Sequence, residues 1–213
     1  MRLALVPLVA LTVAAFHSTI RPVPAPVRAE LKAGGVWQQR CPVSLTDLRV
    51  LTVTHWGFDN RVHTGQLIVN RDAAAPLARV FHTLYDLRFP IRHLLLADAY
   101  GPARSRPADN DSGSFECRQA IASPCSSKAR KGNGNWSEHA YGRAVDLNPV
   151  ENPYVGCGMS RDPSSKPYLD RSRVRRGMVT PAVVAAFRSI GWGWGGAWSG
   201  ATKDYMHFSA SGH

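Results

Sequence analysis

The sequence predicts an α+β fold, a small antiparallel sheet with flanking helices. Three observations predict it. Residues 47–56, "DLRVLTVTHW", alternate and are rich in β-branched side chains. Residues 72–88 switch to helical period, with Leu77, Val80, Phe81, Leu84 and Tyr85 on one stripe. Short alternating runs then return in the C-terminal half, so strands and helices are mixed without a regular βαβ rhythm. With 213 residues and 44% hydrophobic content the chain can bury the core of one domain and have length to spare. No internal repeat is present, which excludes solenoids and propellers.

The N-terminus opens with "MRLALVPLVALTVAAF". Arg2 precedes an uncharged apolar run, Leu3 to Phe16. A membrane-spanning helix needs roughly 20 such residues, so the run reads as the hydrophobic region of an export signal cut after Ala29, or as an uncleaved N-terminal membrane anchor. Residues 1–29 are assigned to this leader and 30–40 to a linker. The Pro-rich "TIRPVPAPVRAE" reads as an extended, mobile spacer. The domain proper is expected over 41–213.

The formal charge is +11. Residues 1–29 hold three arginines and no acid, so the remainder keeps +8. In an exported protein this favours an anionic cell wall as partner. The basic residues are scattered without interleaved aromatics, which argues against nucleic acid. Four cysteines, Cys41, Cys117, Cys125 and Cys157, with no CxxC pair, favour two disulfides in any of three pairings over a zinc ribbon.

Beyond the first strand, "GFDNRVHTG" reads as a hairpin connection to a second at 65–70. "IRHLLLADAY", 91–100, reads as a third strand, and 101–136 as a long loop. "RAVDLN" alternates, placing Asp146 on a face with Ala144 and Asn148 while Val145 and Leu147 point to the core. "TPAVVAAFRSIGW" is a short helix with Thr180 as N-cap, Pro181 at its first position and Gly191 after its end. "GWGWGGAWSG" is a turn region leading to a last strand at 203–211.

The chemistry concentrates in two motifs. "SEHAYGRAVDLNP" sets His139 seven residues before Asp146 around Gly142, and "DYMH" supplies Asp204 and His207. Two histidines and a carboxylate leave the fourth position of a zinc ion open, the pattern of a catalytic site. The remaining carboxylate is then free to act as general base towards the metal's water. Neither motif is specific alone, but their combination is. There is no GxSxG and no HExxH, which sets aside a serine hydrolase and the common helical zinc-protease site.

These motifs, together with "WGFDNRVHTG", "FECR" and "GWGWGGAWSGATKDYMHFS", resemble the zinc D-alanyl-D-alanine carboxypeptidase family over roughly residues 41–210. That family includes L-alanyl-D-glutamate endopeptidases and shares its core fold with the hedgehog signalling domain. The resemblance implies one Zn2+ held by His139, Asp146 and His207, with Asp204 as the catalytic carboxylate. It implies that Arg118 holds the substrate or stabilises the tetrahedral intermediate, and that Ser137 supports the site. The implied substrate is a peptidoglycan stem peptide, cut by a secreted or wall-associated enzyme. The carboxypeptidase reaction is preferred on the family label alone. The alternatives are the endopeptidase and a zinc-bearing wall-binding module without activity. Glu116 and Glu138 are rival bases. His55, His63, His82 and His93 read as structural or surface residues, with His63 nearest to a role because "HTG" recurs in the family. Trp192, Trp194 and Trp198 read as packing. The stretch 120–136 is longer than the family's link and carries Cys125, so the expected disulfides are Cys41–Cys117 and Cys125–Cys157, each tying a loop beside the site.

Overall fold

The computed structural model describes residues 15–96, 110–123, 125 and 134–213. Nearly all of the apolar N-terminal run, the end of the expected third strand and much of the 101–136 loop lie outside the described residues.

The chain is α+β, but with three small antiparallel sheets where one was expected. The largest joins β1 (Ser18–Pro22), β2 (Leu48–Trp56) and β3 (Val62–Asn70) in that order. Side chains alternate across its central strands. Leu51, Val53, Leu67 and Val69 enter the main core, while Leu48, Val50 and Ile68 enter a second core on the opposite face. Helix α2 (Arg71–Asp86) covers the first face with Leu77, Val80, Phe81 and Leu84, all fully buried. Helix α3 (Pro181–Arg188) joins the same core through Val183 and Phe187, and Phe187 stacks on Phe208 at 3.8 Å between centroids.

The second face is covered by the Pro-rich N-terminal run, which is not a mobile spacer. Residues 18–22 pair with β2 from Ser18↔Val53 to Pro22↔Arg49. Residues Ala25–Ala33 form helix α1, which starts after Pro24 and buries Leu31 against Val23, Ile68 and Phe115. Proline is tolerated at an edge strand and in a first helical turn, so Pro22, Pro24 and Pro26 fit without breaking either element. The sequence boundaries at residues 29 and 40 fall inside this packed region, and Ala29 lies within α1. A chain starting at residue 30 would therefore lose β1 and Val23. Burial of one such aliphatic side chain contributes about 1.5–3 kcal/mol. We expect removal of residues 1–29 to lower the thermal midpoint by several degrees or to prevent soluble expression, compared with a chain that retains residue 15 onward.

Two expected strands change form. Pro90 brings no N–H to a ladder, and residues 90–93 make only isolated bridges, Trp56↔Pro90 and His93↔Asp111. The expected last strand breaks at Tyr205–Met206. Its first part, β8 (Thr202–Asp204), pairs with β5 (Tyr154–Gly156), which also pairs with β6 (Met159–Ser160). Its second part, β9 (His207–Ser209), lies between β4 (Ala144–Asp146) and β7 (Gly193–Trp194). Backbone bonds from Tyr205 N to Pro153 O and from Leu147 N to Met206 O hold the break.

Disulfides join Cys41 to Cys117 and Cys125 to Cys157, the pairing expected. Among the described residues, no helix is long and apolar enough to cross a membrane.

Candidate metal centre

The β4–β9 pairing builds the centre. Asp146 lies directly opposite His207 in the antiparallel register. His139 comes from a single 3-10 turn, Glu138–Tyr141, just before β4. Ser137 caps that turn, its hydroxyl accepting from His139 N at 3.3 Å. Gly142 ends it in the left-handed region at φ 67°. A Cβ there would stand 2.7 Å from Asn70 N, so only glycine lets the turn close against the end of β3.

Three ligand atoms converge. His139 Nε2 is 3.2 Å from Asp146 Oδ2 and 3.2 Å from His207 Nδ1, and His207 Nδ1 is 3.1 Å from Asp146 Oδ1. Both rings turn their other nitrogen to a backbone carbonyl. His139 Nδ1 donates to Ser114 O at 2.5 Å, and His207 Nε2 donates to His213 O at 3.3 Å. This fixes the tautomers so that two imidazole lone pairs and a carboxylate face one point, an arrangement that calls for a cation. Ligands on a tetrahedral ion at about 2.0–2.2 Å sit about 3.3–3.6 Å apart, close to the observed triangle. Among the described residues this is the group of histidine, cysteine and acidic side chains placed to hold a metal.

The charges agree. Burial alone would raise the Asp146 pKa, but His139 and His207 outweigh it and hold the carboxyl well below its usual range. Burial disfavours the charged form of His207, yet the hydrogen bond and charge of Asp146 prevail and raise its pKa.

Asp204 differs from both. Its Oδ1 is buried and has no hydrogen-bond partner. Burial first, then the neighbouring Asp146 charge, push its pKa up to about 7, against the pull of His207 and Arg118. It stands at the end of β8 opposite Tyr154. Gly195 packs against its backbone, where a Cβ would fall 2.5 Å from Asp204 O. The carboxylate is thus held near the centre without belonging to the ligand triangle.

Arg118 Nε donates to Glu116 Oε2 at 2.6 Å, and its carbonyl accepts from Ser137 N. That ion pair occupies Glu116, and Glu138 faces the charge of Arg143. Neither rival base belongs to the group placed to hold a metal. His63 pairs with Asp59, His82 with Asp86 and His93 with Asp111, while His55 is buried beside His63. Trp192 packs on Phe187, and Trp194 packs on Phe208 and donates to Tyr205 O. Trp198 packs beside the centre and donates to Gly212 O. Its ring lies 5.9 Å from His207 and meets Tyr154 edge-on at 6.5 Å, on the border of the site.

Sequence reasoning missed Ser114, Tyr154 and His213. Each enters through a backbone carbonyl, a strand register or a ring contact, and none carries a motif of its own. Gly113 bridges Asp146 in both directions, and this bridge brings Ser114 O under His139.

No curated protein and no solved structure matches the chain. Residues 130–210 match the model of a family described as D-alanyl-D-alanine carboxypeptidase. The match starts well inside the 41–210 expected from the motifs, and it omits β1–β3, α2 and Arg118. It takes in the whole triangle and Asp204, so over the stretch that builds the metal centre this chain is similar to that peptidase family.

Proposed function

We propose that this protein is a zinc metallopeptidase that removes the terminal D-alanine from peptidoglycan stem peptides outside the cytoplasm. The observation that carries the reading is the converging triangle of His139, Asp146 and His207 with a fourth, unligated carboxylate beside it. The description of the matched family supports the carboxypeptidase over the endopeptidase. Two disulfides are the chemistry of an oxidising compartment and support export.

A zinc ion in this triangle would supply an acidified water and polarise the scissile carbonyl. The protein's own residues do the rest. Asp146 balances the ion's charge, and Ser114 O and His213 O keep both imidazoles oriented. Asp204 accepts the proton of the attacking water and returns it to the leaving amine. Its buried Oδ1, which has no hydrogen-bond partner, is left open to take and return that proton. Arg118 offers a fixed fork to the substrate carboxylate or the developing oxyanion, with Glu116 orienting the fork. Tyr154 and Trp198 line the approach.

The test is digestion of defined muropeptides by the full chain, read by mass spectrometry, with chelator and zinc add-back. Zinc-dependent loss of terminal D-alanine is expected. A cut between L-alanine and D-glutamate would assign the endopeptidase instead, and zinc binding with no cleavage would assign a binding module. In the same assay Arg118→Lys should lower kcat/KM about 10- to 100-fold with zinc content unchanged, the effect of losing one charge-assisted, oriented hydrogen bond.

A further inference from the structure

The basic residues looked scattered in the sequence, but the fold gathers some of them around a second, separate feature. A cavity of about 310 Å3 opens between the end of α2 and the loop 174–180. Its floor is apolar, including Phe89, Met178 and Val183, and its rim carries Arg88, Arg175 and Arg176. All three arginines are exposed and none forms an ion pair with a carboxylate among the described residues, while Arg176 donates one N–H to Asn60 Oδ1. Beside them stand the two aliphatic side chains of this rim that face solvent, Leu87 at 46% exposure and Val174 at 70%. Asp86 is the nearby acid on α2, and His82 Nε2 lies 3.8 Å from its carboxylate.

The chain's apolar N-terminal run arrives at the same end of α2. Phe16, its last residue, stacks on His82 at 4.6 Å and meets Tyr85 at 5.7 Å. Tyr85 in turn lies against Trp56, and the Arg88 guanidinium lies over the same indole at 5.0 Å. The apolar run therefore joins the fold within two ring contacts of the arginine rim.

We propose that this face docks on an anionic lipid bilayer. Arg88, Arg175 and Arg176 meet the phosphate headgroups, and Leu87 and Val174 enter the interface between them. Guanidinium rims with protruding aliphatics suit a bilayer, which offers charge and an apolar layer together. A soluble anionic polymer would use the arginines alone. The face shares no residue with the metal centre, so docking leaves His139, Asp146 and His207 free.

The experiment is vesicle co-sedimentation of the full chain with phosphatidylglycerol-rich and with pure phosphatidylcholine vesicles, and pull-down with a soluble glycerol-phosphate polymer. The readout is the ratio of anionic to zwitterionic binding, because the N-terminal run can bind both. We expect a ratio well above one, falling on the order of a hundredfold in Arg88→Ala/Arg175→Ala/Arg176→Ala. Leu87→Ser/Val174→Ser should weaken vesicle binding about tenfold or more and leave any polymer binding unchanged. The serine pair changes only exposed side chains, so it tests the face even where the arginine variant folds poorly, and zinc content serves as the check on folding. An unchanged ratio in the arginine variant, unchanged vesicle binding in the serine variant, or binding to the polymer without preference for anionic vesicles would overturn the proposal.

Discussion

Asp204→Asn is expected to leave zinc bound and to lower kcat by about 10^2- to 10^4-fold, the range typical of a lost general acid–base group. Asparagine matches aspartate in shape, and the triangle of His139, Asp146 and His207 does not include it. Metal analysis beside turnover separates the two effects, and retained activity would move the base elsewhere. The same variant makes an opposite prediction for stability. In the metal-free protein the Asp204 pKa is raised to about 7, against about 3.9 unfolded. Between these values the native state holds a proton that the unfolded chain has released. Stability from this group is thus full below about pH 4, declines as pH rises, and is lost above about pH 7. Asp204→Asn removes that penalty. The metal-free variant should be more stable than the parent at pH 8 by about 2 kcal/mol, after allowance for partial solvent access, and equal to it at pH 4. Thermal melts of both chains in chelator at the two pH values measure it.

Asp146→Ala should lose both zinc and activity. This carboxylate stands directly across from His207 in the β4–β9 ladder and contacts both imidazoles. Its loss leaves two inward lone pairs with nothing to balance a cation. On the proposed reading a metal binds the folded triangle and not the unfolded chain, so saturating zinc should stabilise the parent by about 2.7 kcal/mol at a hundredfold excess over Kd. Asp146→Ala should abolish that zinc-dependent rise in Tm. His207→Ala should do the same, whereas a substitution at exposed His82 should not. A normal zinc-dependent shift in Asp146→Ala would place the ion elsewhere.

The sequence by itself determined the parts whose information is local. The period-two and period-3.6 runs mark β2 and α2 because one buried face imposes its own repeat. The residue types at His139, Asp146 and His207 point to a metal site, and the structure brings these three together. Only the tertiary structure decided the rest, because it depends on which distant backbones pair. The Gly113–Asp146 bridge sets Ser114 O under His139 and so selects its tautomer. The break at Tyr205–Met206 sends Asp204 and His207 into different sheets, which separates the proposed base from the proposed ligand although only two residues lie between them. The Pro-rich run looked like a spacer because proline favours extended, unpaired chain. It folds because β2 offers an open edge and the second core leaves room for Val23 and Leu31. The arginine rim is equally invisible in one dimension, since Arg88 and Arg175 meet only where the end of α2 approaches the loop before α3.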